Sequence, residues 1–228
     1  MKKLLAMLLA VLMVLSTVVI TIMAEGDSEE QPTVDVWDGS VAEGFSSTGT
    51  GASEEDPIEI TSAAELAYLS ALYQAQRTEA HPLWGKHYRL MVDIDLNKIE
   101  WTPIGPSGNN SQYRWFEGHF DGNGHTISNV VTAEDVVTGG LFGVAIGLIE
   151  NLTVAGESRI YGGAGAGAIV GGIHPIENRE GIETLTIRNC KVGEDVEVHA
   201  SNSSSTQSDY GRVGGICGHI YDKGATLC

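Results

Sequence analysis

Positive charge is scarce: 13 lysines and arginines stand against 30 aspartates and glutamates, a formal net charge of −17 over 228 residues. Such a surface repels nucleic acid and anionic lipid, which argues against both as partners. It suits a protein kept soluble outside a cell and attracts cations, calcium included, or basic partners. Cysteine is sparse and odd in number, at Cys190, Cys217 and Cys228. Paired bridges therefore do not supply the framework of the fold. Buried small apolar side chains are the default for these thiols, with a Cys190–Cys217 pair left open.

Catalytic signatures are also lacking. His81, His87, His119, His125, His174, His199 and His219 are scattered, and none forms the His-Glu-x-x-His pair of a zinc peptidase. Ser46, Ser47 and the run Ser203-Ser204-Ser205 lack a Gly-x-Ser-x-Gly elbow. Gly162-Gly163-Ala164-Gly165-Ala166-Gly167 is not followed by Lys-Ser/Thr, so it reads as a tight turn rather than a phosphate loop. No catalytic, cofactor-binding or metal residue is assigned from these patterns.

Only one long apolar run occurs, and it is N-terminal. Lys2 and Lys3 precede an apolar stretch from Leu4 to Met23, and Ala24 ends it in a small-residue pattern. That order is a signal peptide over residues 1–24. The run is long enough to span a bilayer, but the acidic segment from Glu25 to Glu30 favours cleavage over a permanent anchor. Loss of Lys2 and Lys3, with no acid removed, takes the charge from −17 to −19. The expected product is secreted, extracellular or at the cell surface, with no membrane span after signal removal.

What is abundant is glycine, 29 residues in clusters between apolar doublets, which punctuates short strands. Residues 25–36 read as a flexible acidic leader, and residues 37–120 as an N-terminal region of strands around one helix over 62–80. Ser62 and Glu65 have the spacing of a capping box, Leu66, Leu69 and Tyr73 share a face, and Pro82 prevents continuation. Tyr88, Leu90, Val92, Ile94 and Leu96 alternate as one half-buried strand.

Residues 121–228 repeat. One unit is a glycine-bounded apolar step: Gly140-Leu141-Phe142-Gly143, Ala168-Ile169-Val170-Gly171 and Gly215-Ile216-Cys217-Gly218. The other is a strand interrupted at Asn129, Asn151 and Asn189. Around Asn189 the buried parity slips by one residue, from Leu185 and Ile187 to Cys190 and Val192. A slip is harmless only if the asparagine bends the strand in a left-handed conformation. Three such asparagines stacked at successive bends describe a solenoid of about 20–25 residues per coil plus insertions. The insertions fall at 173–184 and 201–210, where binding is expected, and the chain ends in mid-coil, as if truncated.

These steps resemble the GLUG-motif proteins of bacterial surfaces and secretions. The lead-in is similar too, through Thr61-Ser62-Ala63-Ala64-Glu65-Leu66, Asp93-Ile94-Asp95-Leu96, Trp101-Thr102-Pro103-Ile104-Gly105 and the run Phe116 to Ile127. The resemblance spans about residues 37–228. It implies an all-β fold, a right-handed parallel β-helix, here with an N-terminal capping helix. It also implies a stalk or adhesive surface, or a place upstream of the catalytic part of immunoglobulin-A peptidases.

Asp93 and Asp95, with Asp121 and Asn123 following, offer hard oxygen ligands for calcium, or they cap turns where the first coil is laid down. The capping role is favoured. Trp84, Trp101, Trp115 and Tyr113 are read as packing the cap rather than stacking on sugars. The expectation is a non-catalytic adhesion or structural module without cofactor, its partner a host or cell-surface protein or glycan. The alternative is the accessory region of a secreted hydrolase whose catalytic part lies beyond Cys228.

Overall fold

Short extended segments bounded by glycine and asparagine must find pairing partners far along the chain. The computed structural model describes that pairing over residues 33–75, 82–106, 115–173, 184–200, 212–220 and 225–227. The first elements are β1 (Val34–Val36), β2 (Ile58–Ile60), the helix α1 (Ala63–Ala75), β3 (Lys86–Leu90) and β4 (Asp93–Asp95). Next come β5 (Phe116–Asp121), β6 (Thr126–Ser128), β7 (Thr138–Gly139), β8 (Phe142–Glu150) and β9 (Thr153–Ala155). They are followed by β10 (Arg159–Gly162), β11 (Gly165–Gly167), β12 (Val170–Ile173) and β13 (Leu185–Arg188). The last are β14 (Lys191–Val192), β15 (Glu197–Ala200), β16 (Arg212–Gly214), β17 (Cys217–Ile220) and β18 (Ala225–Leu227).

The protein is mostly β, with one helix among the described residues, and its ladders are parallel. The largest sheet has the order β17-β12-β8-β5-β3-β2, and a second has the order β1-β4-β6-β9-β14. Apart from β2 and β3, β12 and β13, and β17 and β18, which share the large sheet, consecutive strands of the chain enter different sheets, while neighbours within a sheet come from segments tens of residues apart. Arg89 faces Asp121 across 32 residues, and Asn151 meets Asn189 across 38. These spacings exceed the about 20–25 residues expected before insertions are added. The insertions read at 173–184 and 201–210 lie almost wholly in segments outside the described residues.

Two local expectations change. Tyr88 to Leu96 is not one strand: it breaks at Met91 and Val92, so that β3 joins the larger sheet and β4 the second. The alternation continues through the bend because both sheets bury their even-numbered face in the same core, with Tyr88, Leu90, Ile94 and Leu96 all sealed from solvent. Residues 34–36, assigned from sequence to the leader, form β1 against β4. Their charged centre explains why: Asp35 accepts the Ala63 amide at 2.6 Å and so caps the helix.

The glycine steps stack as the sequence implies. Phe142, Val170 and Cys217 are register partners, and the Leu141 and Ile169 amides donate to the carbonyls of Ala168 and Ile216. Close approach explains the glycines. A Cβ on Gly140 would stand 2.6 Å from the carbonyl oxygens of Gly167 and Phe142, so the neighbouring backbone occupies that space. One further member of the column is Trp101-Thr102-Pro103-Ile104-Gly105, since Ile104 bridges to Phe142.

Pro103 marks the end of that column, and α1 covers it. The Ser70 hydroxyl donates to the Thr102 carbonyl at 2.7 Å, and the Gln74 amide donates to the Pro103 carbonyl at 3.0 Å. Leu66, Leu69 and Tyr73 are fully buried, as their spacing predicts. Tyr73 packs on Phe116, Phe116 on Phe142, and Phe142 on Phe120, with ring centroids 5.5, 4.8 and 5.2 Å apart. Each such side chain contributes about 1.5–3 kcal/mol by leaving water. The capping box is half as expected. Ser62 accepts the Glu65 amide, but the Glu65 carboxylate accepts from the Thr61 and Ser46 amides instead of from Ser62.

Candidate functional site: an ionisable ladder on the outer face of the large sheet

A parallel sheet with one face in the core sends every second residue outward, and equal positions on successive strands form rows. One row is Glu59, Arg89, Asp121, Glu150 and Arg188, on β2, β3, β5, β8 and β13. Opposite charges meet at two steps: Arg89 lies 3.2 Å from Asp121, and Arg188 lies 2.5 Å from Glu150. Burial pushes both carboxyls up, but hydrogen bonds outweigh it and hold them below their ordinary range. For Asp121 the donors are Asn151, the Asn123 amide and Arg89; for Glu150 they are Arg188 and His119.

Two positions earlier on β3 and β5, His87 faces His119. Their Nδ1 atoms are 3.0 Å apart. The His119 side chain is only 10% exposed, and its Nε2 lies 2.6 Å from Glu150 Oε1. A carboxylate only accepts, so Nε2 carries a proton, and the His119 Nδ1 faces His87. Glu54 reaches the same point from the loop before β2, its Oε1 3.5 Å from His119 Nδ1. Burial, and then the neighbouring His119, lowers the pKa of His87.

The loop that carries Glu54 is fastened down. Lys86 Nζ donates to the Thr50 carbonyl at 2.7 Å, the His87 amide to the Gly51 carbonyl at 3.0 Å, and Arg89 to the Glu54 carbonyl at 3.1 Å. Sequence scanning missed this cluster because its members lie far apart in the chain. A signal was present: His87-Tyr88-Arg89 and His119-Phe120-Asp121 repeat the pattern histidine, aromatic, charge, which places both histidines on the outward face.

Of the residues weighed for calcium, Asp121 lies in this row and its Oδ1 accepts the Asn123 amide at 2.8 Å, while Asp93 and Asp95 lie elsewhere, on β4. Asp93 Oδ1 accepts the Thr126 amide at 2.9 Å and sits 3.0 Å from His125 Nδ1. Asp95 Oδ1 accepts both the Asn97 amide and the Asn129 side-chain amide at 2.7 Å. Both carboxylates therefore fasten turns. The three asparagines all bend the chain, with φ of 57, 53 and 50° at Asn129, Asn151 and Asn189, but they do not form one stack. Asn151 and Asn189 follow the large sheet, whereas Asn129 follows β6 in the second sheet and bonds to Asp95. The bends thus follow strands of two different sheets.

Trp101 is fully buried, donates to the Leu141 carbonyl at 3.1 Å and meets Trp37 edge-on at 5.7 Å, so it packs the covered end as expected. Trp84 and Trp115 are half-buried, and Tyr113 lies outside the described residues. A groove of about 390 Å³ runs beside α1 between Trp37, Val41, Ala71 and Gln74. Cys190 and Cys217 are separate free thiols, and burial pushes the Cys217 thiol up to about 11. Cys228 lies outside the described residues. Among the described residues no helix is long and apolar enough to cross a membrane.

The architecture is shared with a solved structure. The chain superimposes on a "putative immunoglobulin A1 protease from Bacteroides ovatus" with a TM-score of 0.53 at 19% identity. The match covers 78% of this chain and 57% of that one, and at this identity it speaks for the fold alone. By sequence the chain is 34% identical over 110 residues to a "Putative Gly-rich membrane protein" of Evansella cellulosilytica. It is 32% identical over 136 residues to "Halomucin" of Haloquadratum walsbyi. Those matches cover 43% and 54% of this chain but span only 12% and 1% of the two relatives. No family model matches the chain.

Proposed function

We propose that the protein is an extracellular adhesion or structural module: a right-handed parallel β-helix of GLUG type, closed at one end by α1 and secreted after loss of residues 1–24. The observation that carries this reading is the tasks its recurrent residues perform. Glycines admit neighbouring backbone, asparagines turn corners and aspartates fasten those corners, so repetition serves the scaffold. A scaffold that lengthens by adding circuits presents a long polar face, the geometry of a stalk or a binding surface. Similarity to a glycine-rich membrane protein suits display at a cell boundary. The partner in this reading is a host or cell-surface protein or glycan.

The test has two parts. Intact mass of the exported protein should place its first residue at Glu25; a retained Met1 overturns the secretion reading. The purified chain, offered to arrays of glycans and extracellular proteins, should bind without turnover. Catalytic turnover that follows protein concentration overturns the non-catalytic reading.

One observation favours a second reading, the accessory region of a secreted hydrolase. It is the fold shared with the "putative immunoglobulin A1 protease from Bacteroides ovatus". A catalytic set encoded beyond residue 228 of the gene supports this second reading. Further glycine steps and a wall-anchoring signal there support the first.

A further inference from the structure

The geometry points to a zinc(II) site formed by Glu54, His87 and His119, which ties the loop before β2 to the outer face of the large sheet. The ligand atoms lie within 4.8 Å of one another. Two separations are known more closely: 3.0 Å between the histidine Nδ1 atoms and 3.5 Å from His119 Nδ1 to Glu54 Oε1. Zinc–ligand bonds of about 2.0–2.2 Å at tetrahedral angles separate neighbouring ligands by about 3.3 Å. One ion therefore bridges these atoms with small side-chain adjustments.

Three further features fit a metal centre better than a chance encounter of histidines. His119 is nine-tenths buried, so its orientation is fixed by packing. Its far nitrogen is held by Glu150, and Glu150 in turn by Arg188. A carboxylate on the non-ligating nitrogen is the usual support of a metal-bound histidine, because it fixes the tautomer and makes the ligand more basic. Finally, Glu54 is brought to the histidines by a loop clamped at Thr50, Gly51 and Glu54, so closing the site costs little extra chain ordering.

The donor set selects the ion. Two imidazoles and one carboxylate suit zinc and its transition-metal neighbours, whereas calcium takes six to eight oxygens. Three protein ligands leave the fourth position to water. The function assigned is mechanical: the ion fastens residues 49–57 across β3 and β5, where the covered end of the fold begins.

The experiment is calorimetric titration of the untagged full chain, stripped with chelator, with zinc chloride and separately with calcium chloride. One zinc per chain is expected, with calcium in excess failing to compete. His87→Ala and Glu54→Ala should each weaken zinc binding by about tenfold or more, while His125→Ala, on the other sheet, leaves it unchanged. Glu54→Ala guards against misfolding, since that side chain is 58% exposed. Hydrogen exchange should slow across 49–57 when zinc is added to the parent chain. Absence of a stoichiometric zinc, or binding indifferent to both His87→Ala and Glu54→Ala, overturns the site. Unchanged exchange in that loop overturns its role as a fastener.

Discussion

The side-chain amide of Asn189 donates to the side-chain oxygen of Asn151 at 2.7 Å, joining bends that lie 38 residues apart in the chain. Asn151 passes the contact on by donating to Asp121 Oδ1 at 2.9 Å, and the same oxygen accepts the Asn123 amide. Side chains thus link the bends that follow β5, β8 and β13, and the left-handed backbone at Asn151 brings them there.

That corner separates two contributions to stability. Asn151→Val loses both the hydrogen bonds and the tolerated left-handed conformation, and should cost about 2–4 kcal/mol. Asn151→Gly keeps the conformation and loses only the bonds, so it should cost about 1–2 kcal/mol. Urea denaturation of both variants checks this; equal midpoints would mean that backbone strain plays no part.

The glycine steps predict a contrast between equivalent positions. Gly140→Ala drives a Cβ into two carbonyl oxygens of neighbouring backbone and should destabilise by about 1–3 kcal/mol. Gly215 opens the same step two strands along the ladder, beyond Ala168, yet a Cβ there meets nothing within 4 Å. Gly215→Ala should change stability by no more than about 0.5 kcal/mol. Thermal melts of the two proteins measure the difference directly.

Much of this arrangement is legible in the sequence. The helix face, the stacking of Leu141 beside Ile169, and the left-handed asparagines follow from spacing and from what each residue tolerates. Two features are hidden, each for its own physical reason. Unequal spacings between paired strands remove the fixed period that would align Asn129 with its true partners, so sequence alone groups it with Asn151 although it follows a strand of the other sheet. The break at Met91 left the apolar alternation intact, because a bend between two sheets with a shared core preserves burial on the same side. The histidine pair needed the β3–β5 register, and no motif spacing encodes that.

Glu65 links the covered end of the fold to pH. Burial raises its pKa, but the amides of Thr61 and Ser46 together with their hydroxyls outweigh this and hold it below the ordinary value of 4.5. A carboxyl lowered on folding contributes stability above its unfolded pKa and loses it as pH falls through the folded one. Glu65→Gln should therefore destabilise by about 1.5–3 kcal/mol at neutral pH, since hydrogen bonds to a charged acceptor are weakened. The gap between variant and parent should close as pH falls below about 4.5. A gap that stays constant down to strongly acidic pH would show that the charge on Glu65 is irrelevant.

The central claim is that segments far apart in the chain lie side by side in one parallel register. Glu59 and Arg188 test it best, because they end a row of five register-matched residues and are separated by four inter-strand steps. At about 4.8 Å per step their backbones should lie about 19 Å apart. Spin labels at Glu59→Cys and Arg188→Cys, with Cys190, Cys217 and Cys228 replaced by alanine, allow the separation to be read by pulsed electron resonance. The account predicts one narrow distribution centred at about 20 Å, allowing for the label arms. A broad distribution, or one centred beyond about 30 Å, would contradict it.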